Sequence, residues 1–223
     1  MSVNVVMVKN KIDGSRKALD LLKKVVSKDT LLLLSGGSSP THLYRLIADE
    51  KTLKPGGVVL IDERYGLLMH DKSNEKMIKD SGLLSYLNNE GIPFCGILED
   101  LSLQETVKQF EIKLGQILNK FPKKVAIMGI GADSHTAGIK PDLEYDHFDL
   151  VTCFDDELGY FGKRVTITFE GLMKIDKFIL LVFGDNKKQA LQNIFKKEDQ
   201  KHFPAVFYAK ASAEVTIITD ISV

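Results

Sequence analysis

Two titratable side chains, Asp133 and His135, stand two residues apart among small and apolar neighbours. The stretch reads Val125-Ala-Ile-Met-Gly129-Ile-Gly131-Ala-Asp133-Ser134-His135-Thr-Ala-Gly-Ile-Lys140-Pro141. An apolar run stops at Gly129 and gives way to a small-residue turn that carries the acid and the histidine. Histidine is the side chain best suited to move protons near neutral pH. In open α/β sheets, ligands bind just beyond the carboxyl ends of the strands. The stretch alone fits either a reactive turn or a glycine-rich connection with a surface histidine.

Three other turns follow apolar runs. Ser35-Gly36-Gly37-Ser38-Ser39-Pro40 comes after four leucines, Leu31 to Leu34. Ser39 suits a helix N-cap and Pro40 the first helical position. Strand, Gly-Gly-Ser turn and helix N-terminus together form an anion cradle, because free N–H groups and the helix dipole favour negative charge. A plain strand-to-helix turn has the same residues. Asp62-Glu63-Arg64 follows Val58 to Ile61, and three charges in a row read most simply as a solvated loop. Gly184-Asp-Asn-Lys187 follows Phe178 to Phe183, with Asp185 as the expected cap. Lys187 and Lys188 then fall in the first turn of a helix, where the dipole disfavours cations.

The elements that must position these turns alternate along the chain. Strands are expected at 3–8, 31–34, 58–61, near 93–98, 125–128, 150–154, 164–169, 178–183 and 215–219. Helices are expected over 15–27, from Pro40, from Ser73-Asn74 through Ile78, over 102–120, and after Asp185. Thr136 to Leu143 is expected to start a helix weakened by Gly138 and Pro141. Residues 142–162 lack clear periodicity and read as a flap or an excursion from the sheet. Alternation of this kind predicts a single α/β domain over residues 1–223 with a mostly parallel sheet. All four turns then share one sheet edge.

Composition narrows the function classes. The 223 residues are 44% hydrophobic and 27% charged, with thirty basic residues against thirty acidic ones. Zero net charge gives no footprint for nucleic acid or a membrane surface. No apolar run is long enough to span a bilayer and no signal peptide is visible, so the cytoplasm is the expected compartment. Cys95 and Cys153 form no metal spacing; they leave room for a single distant disulfide but read first as two reduced core thiols. No Walker lysine, GxGxxG or GxSxG pattern supports nucleotide binding or serine-nucleophile chemistry.

The turns in order resemble those of 6-phosphogluconolactonases, which share a superfamily with the glucosamine-6-phosphate isomerases. The residues that carry the resemblance are Ser35 to Pro40, Asp62-Glu63-Arg64, Ser73-Asn74 with Met77, Gly129 to Thr136, Arg164-Val-Thr-Ile-Thr168 and Gly184 to Lys187. The resemblance implies a Rossmann-like three-layer α/β sandwich and a sugar-phosphate substrate, 6-phosphoglucono-δ-lactone. It places His135 as general base, with Asp133 orienting the imidazole and Asp62 on sugar hydroxyls. It gives the phosphate to Gly36, Gly37, Ser38 and Ser39, with Arg64, Arg164 and Lys187 as cations. No metal or organic cofactor is expected, since an ester is already electrophilic, and a monomer or small homo-oligomer suffices.

Two residues depart from the family pattern. Ser134 replaces a glycine, which would strain the turn and displace His135 if φ is positive there. Lys140 stands where lactonases tend to have Phe and isomerases a glutamate. Two rivals therefore remain: an amino-sugar-phosphate isomerase or deaminase, and a sugar-phosphate-binding protein without turnover. The other histidines, His42, His70, His147 and His202, are expected on surfaces or helices.

Overall fold

A computed structural model describes residues 3–146, 148–156, 161–196 and 199–222. His147 lies outside the described residues, as does part of the 142–162 excursion. The chain runs β1 (Asn4–Met7), α1 (Lys11–Val25), β2 (Thr30–Leu34), α2 (Thr41–Glu50), β3 (Gly57–Leu60), β4 (Asp62–Arg64), α3 (Asn74–Asp80), α4 (Leu83–Asn89), β5 (Phe94–Cys95), α5 (Leu103–Lys120) and β6 (Lys123–Met128). It continues with β7 (Val151–Phe154), β8 (Arg164–Ile167), α6 (Phe169–Leu172), β9 (Lys177–Val182), α7 (Lys188–Phe195), α8 (Phe207–Lys210) and β10 (Glu214–Thr219).

Seven strands form one parallel sheet in the order β1-β10-β9-β6-β2-β3-β5, and helices flank it. Every residue of β2 is buried, which is why four consecutive leucines suit it: a central parallel strand is covered on both faces. From β2 the chain builds toward β3 and β5; from β6 it builds the other way, toward β9 and β10. The order therefore reverses between β2 and β6, the place where an open α/β sheet leaves a crevice at its carboxyl edge. The turns after both strands are those that carry Gly36-Gly37 and Asp133-His135.

A second sheet, β4-β8-β7, is antiparallel. It corrects the reading of Asp62-Glu63-Arg64 as a solvated loop. β3 passes through Ile61 directly into β4, and Asp62 and Glu63 are buried. A buried charge needs partners, and the start of α3 supplies them. Glu63 Oε1 accepts from the amides of Arg64 (2.7 Å) and Asn74 (2.7 Å). Glu63 Oε2 accepts from Ser73 Oγ (2.9 Å) and the Glu75 amide (2.9 Å). Burial pushes the Glu63 carboxyl up from its usual range, against the pull of these donors. Ser73 caps the helix as expected, accepting from the Lys76 amide at 3.1 Å.

Other boundaries moved for local reasons. α1 begins at Lys11 rather than Ser15 because Asn10 accepts from the amides of Ile12 and Asp13. Pro40 is already helical (φ −84°, ψ −12°) and α2 has no side-chain cap; Ser39 does not perform that task. Nor does Asp185 cap. A single 3-10 turn, Asp185–Lys187, follows Gly184 (φ 90°), whose amide donates to the Asp220 carboxylate at 3.0 Å. Thr136 to Leu143 forms no helix, since Thr136 bridges both Ile130 and Ile139 in antiparallel fashion. α4, α6 and α8 are not among the expected helices; Leu83, Tyr86 and Leu87 between two glycines are the signal for the first.

Cys95 and Cys153 are free thiols, half-buried against the core. Among the described residues no helix is long and apolar enough to cross a membrane.

Candidate active site

The carboxyl edge of the large sheet and one face of the small one enclose a cavity of about 790 Å³. All ten residues singled out from sequence line it: Gly36, Gly37, Ser38, Ser39, Asp62, Arg64, Asp133, His135, Arg164 and Lys187. Ser35, Gly129, Gly131, Phe161 and Asn186 join them.

His135 and Asp133 form a pair. His135 Nδ1 lies 2.6 Å from Asp133 Oδ1, which also accepts from the His135 amide at 3.2 Å. Burial pushes the Asp133 carboxyl up, but the hydrogen bond and charge of His135 outweigh it and hold the carboxyl below its usual range. An ionised Asp133 fixes the proton on Nδ1 and leaves Nε2 with its lone pair. Gly131 makes the pairing possible, because a Cβ there would lie closer than 3.0 Å to both His135 Nδ1 and Asp133 Oδ1. The Phe161 ring meets the imidazole edge-on, with centroids 5.2 Å apart and planes at 81°.

The turn is held from behind. Thr136 is buried, and its hydroxyl lies 2.5 Å from the Tyr208 hydroxyl and 3.3 Å from the Gly129 carbonyl. Ser134 does take a positive φ, 70°. Even so, His135 keeps its pairing with Asp133. Ser134 is buried; its Oγ accepts from Asn193 Nδ2 at 3.3 Å and its carbonyl accepts from the Ala205 amide at 2.9 Å. These contacts hold the strained residue in place. Lys140 is not in the cavity wall. Its ammonium pairs with Asp156 at 3.1 Å and lies 5.1 Å from the Phe154 ring centroid.

Asp62 is set by Asn74, a residue of the Ser73-Asn74 motif to which the sequence assigns a helix start but no role in the site. Asn74 Nδ2 donates to the Asp62 carbonyl (2.9 Å) and to Oδ2 (3.0 Å), leaving Oδ1 buried without a hydrogen-bond partner among the described residues. The same Asn74 amide occupies the space a Cβ on Gly36 would need. Gly37 is the residue of that turn with a positive φ, 92°. Thus Gly36 is glycine for packing and Gly37 for backbone conformation.

Three cations, Arg64, Arg164 and Lys187, also line the cavity. Arg64 and Arg164 stand directly opposite in the β4–β8 register, so both side chains leave the same face. Arg64 Nη1 donates to the Lys72 carbonyl at 2.6 Å, and Arg164 Nε to the Phe161 carbonyl at 2.6 Å. Lys187 Nζ donates to Ser39 Oγ at 3.1 Å. Burial first, and the charge of Lys11 second, hold the Lys187 ammonium below its usual pKa.

Outside the cavity, His70 Nε2 donates to the Arg64 carbonyl at 2.8 Å. His42 is half-buried in α2, and His202 pairs with Asp142. No group of three or more His, Cys, Asp or Glu among the described residues is placed to hold a metal ion.

A parallel sheet whose switch-point cleft is lined by a His–Asp pair, two arginines and a lysine defines an α/β protein with a proton-transfer pair beside positive charge. Residues 15–217 match the model of a family described as glucosamine-6-phosphate isomerases/6-phosphogluconolactonase, and the chain belongs to this family of enzymes. A glucosamine-6-phosphate deaminase of Listeria monocytogenes serotype 4a is 25% identical over 233 residues, covering 98% of this chain and 97% of the relative. The crystal structure of a Thermotoga maritima 6-phosphogluconolactonase superposes with a TM-score of 0.79 at 23% identity, over 98% of this chain and 99% of that one. A Plasmodium vivax 6-phosphogluconolactonase gives 0.80 at 22%, over 97% and 90%. At these identities the two structures establish the fold.

Proposed function

We propose that the protein hydrolyses 6-phosphoglucono-δ-lactone to 6-phosphogluconate. The observation that carries this reading is the His135–Asp133 pair, with Nδ1 engaged at 2.6 Å, in the wall of a cleft rich in cations. His135 Nε2 takes a proton from water as the water oxygen bonds to the lactone carbonyl carbon. Asp133 steadies the imidazolium that forms. The tetrahedral oxyanion collapses, the bond from the carbonyl carbon to the ring oxygen breaks, and that oxygen takes the proton from His135. The product is an open-chain acid, which ionises. General-base help of this kind is worth about 10²–10⁴ in rate.

The Gly37–Ser39 turn and Lys187 hold the phosphate, with Arg64 and Arg164 as the other cations of the cavity wall. Arginine suits phosphate oxygens because its planar fork matches them two at a time. Asp62, with Oδ1 buried and without a hydrogen-bond partner among the described residues, accepts from a sugar hydroxyl. In this reading the enzyme is a single-domain cytoplasmic protein, a monomer or small homo-oligomer, serving the second step of the oxidative pentose phosphate pathway. The family resemblance is the support for that placement.

A deaminase or isomerase acting on glucosamine 6-phosphate is the second reading, favoured by the Listeria relative. Against it, Lys140 replaces the glutamate that the resemblance assigns to isomerases, and it pairs with Asp156 rather than facing the cavity. The test generates the lactone in situ from glucose 6-phosphate and compares its loss with the spontaneous rate. Ammonia release from glucosamine 6-phosphate is followed in parallel. Hydrolysis well above background, abolished in His135→Ala, is expected. Hydrolysis at background with ammonia released would overturn the lactonase reading in favour of the second.

A further inference from the structure

Lys11 is the first residue of α1, far in sequence from every turn of the cleft. A cation in the first turn of a helix works against the helix dipole. Its side chain leaves α1 and its ammonium donates to the Ser38 carbonyl, in the middle of the Gly37–Ser39 turn. Lys187 reaches the same turn from the other side, at Ser39 Oγ. Two ammonium groups thus converge on three residues, and neither has an acidic partner among the described residues. Arg45 adds a third positive charge close enough to depress Lys11, after burial, from its usual pKa.

Bringing like charges together around one turn is unfavourable, and a doubly charged phosphate at that turn reverses the sign. The contact to Ser38 has a second effect. It engages a carbonyl oxygen whose negative end would otherwise be free to repel an incoming phosphate, and it leaves the turn's N–H groups as the polar face offered to an anion. We propose that Lys11, which reaches the Gly37–Ser39 turn from outside the cavity wall, is a specificity-determining residue that selects phosphorylated over unphosphorylated sugars by supplying a second ammonium at that turn. The proposal rests on the reading of that turn as the phosphate site.

The test is calorimetric binding of 6-phosphogluconate, gluconate and inorganic phosphate to the full chain, the Lys11→Met variant and the Lys11→Arg variant. A charge-assisted hydrogen bond of about 1.5–3 kcal/mol corresponds to a tenfold to hundredfold change in affinity. Lys11→Met is therefore expected to weaken 6-phosphogluconate and inorganic phosphate about tenfold or more, and to leave gluconate within about twofold. Lys11→Arg is expected to recover most of the loss, and the salt dependence of 6-phosphogluconate binding is expected to flatten in Lys11→Met. Equal weakening of 6-phosphogluconate and gluconate would make Lys11 a brace for the turn and overturn the proposal. So would unchanged phosphate affinity in Lys11→Met, with the wild type still preferring the phosphorylated ligand. A wild type that bound 6-phosphogluconate no better than gluconate would instead strike the underlying reading of the phosphate site.

Discussion

Gly131→Ala separates the proposed chemistry from the fold. The φ of Gly131 lies outside the left-handed region, so alanine suits the backbone, and the obstruction comes from two side chains. The new methyl would overlap His135 Nδ1 and Asp133 Oδ1, both ends of short flexible side chains, so the pair must open. Losing one part-exposed hydrogen bond removes about 0.5–1.5 kcal/mol of stability. Alanine returns about 0.4–1 kcal/mol by restricting the unfolded chain. The variant is thus expected to melt within about 1 kcal/mol of the wild type. Turnover is expected to fall by about 10²–10⁴, the full worth of a general base, or about 3–5 kcal/mol of barrier. The assay is lactone consumption corrected for spontaneous hydrolysis, alongside chemical denaturation. Combining Gly131→Ala with His135→Ala should add little further loss, since both remove one function. A folded Gly131→Ala protein with more than about a third of wild-type turnover would refute the claim that the pair's geometry matters, because the expected loss is at least a hundredfold.

Three further outcomes are expected. Glu63→Gln removes an acceptor from a buried site with four donors and should cost about 1–3 kcal/mol at pH 7, read by denaturation. Burial raises the Glu63 carboxyl, so its contribution is full below the unfolded pKa and is lost as pH rises through the folded one. The deficit of the variant should therefore widen from pH 7 to pH 4; a deficit that narrows would mean the hydrogen bonds outweigh burial. Ser134→Ala keeps a Cβ at φ 70° and strips Asn193 of its acceptor, whereas Ser134→Gly relieves strain of about 1 kcal/mol while losing the same bond. Glycine should accordingly melt above alanine, and the reverse order would mean the residue is unstrained. Lys187→Met should weaken 6-phosphogluconate binding yet leave the ligand-free protein at least as stable near neutral pH, because it removes a desolvated ammonium beside Lys11. A clear loss of ligand-free stability would contradict that account.

What the sequence disclosed follows its local signals. The Leu31–Leu34, Val125–Met128 and Phe178–Phe183 runs are apolar for their whole length and bounded by turns, so they read as the central parallel strands they are. Since strand ends in a parallel sheet share an edge, the sequence alone groups the turns after them. β4 is hidden because its buried Glu63 is satisfied from the start of α3, a tertiary pairing that leaves no local signature around Asp62-Glu63-Arg64. Lys11 and Asn74 were missed for the same reason: each acts on a turn more than 25 residues away in sequence. Phe161 sits in a stretch without periodicity, and only its approach to His135 marks it. Ser134 was flagged correctly as a positive-φ position, but the compensation from Asn193 is tertiary.

The space beside Gly36 is already taken by the Asn74 amide, which also holds Asp62. Positions 36 and 74 are therefore one unit of variation rather than two. A larger residue at 36 demands a smaller one at 74, and the smaller one releases the carboxylate. Random change at either position alone meets a dead end, and an evolutionary path or a mutant library can cross only by altering both. That coupling ties the history of the phosphate turn to that of Asp62. Paired substitutions at these two positions are the ones to search for an altered sugar preference.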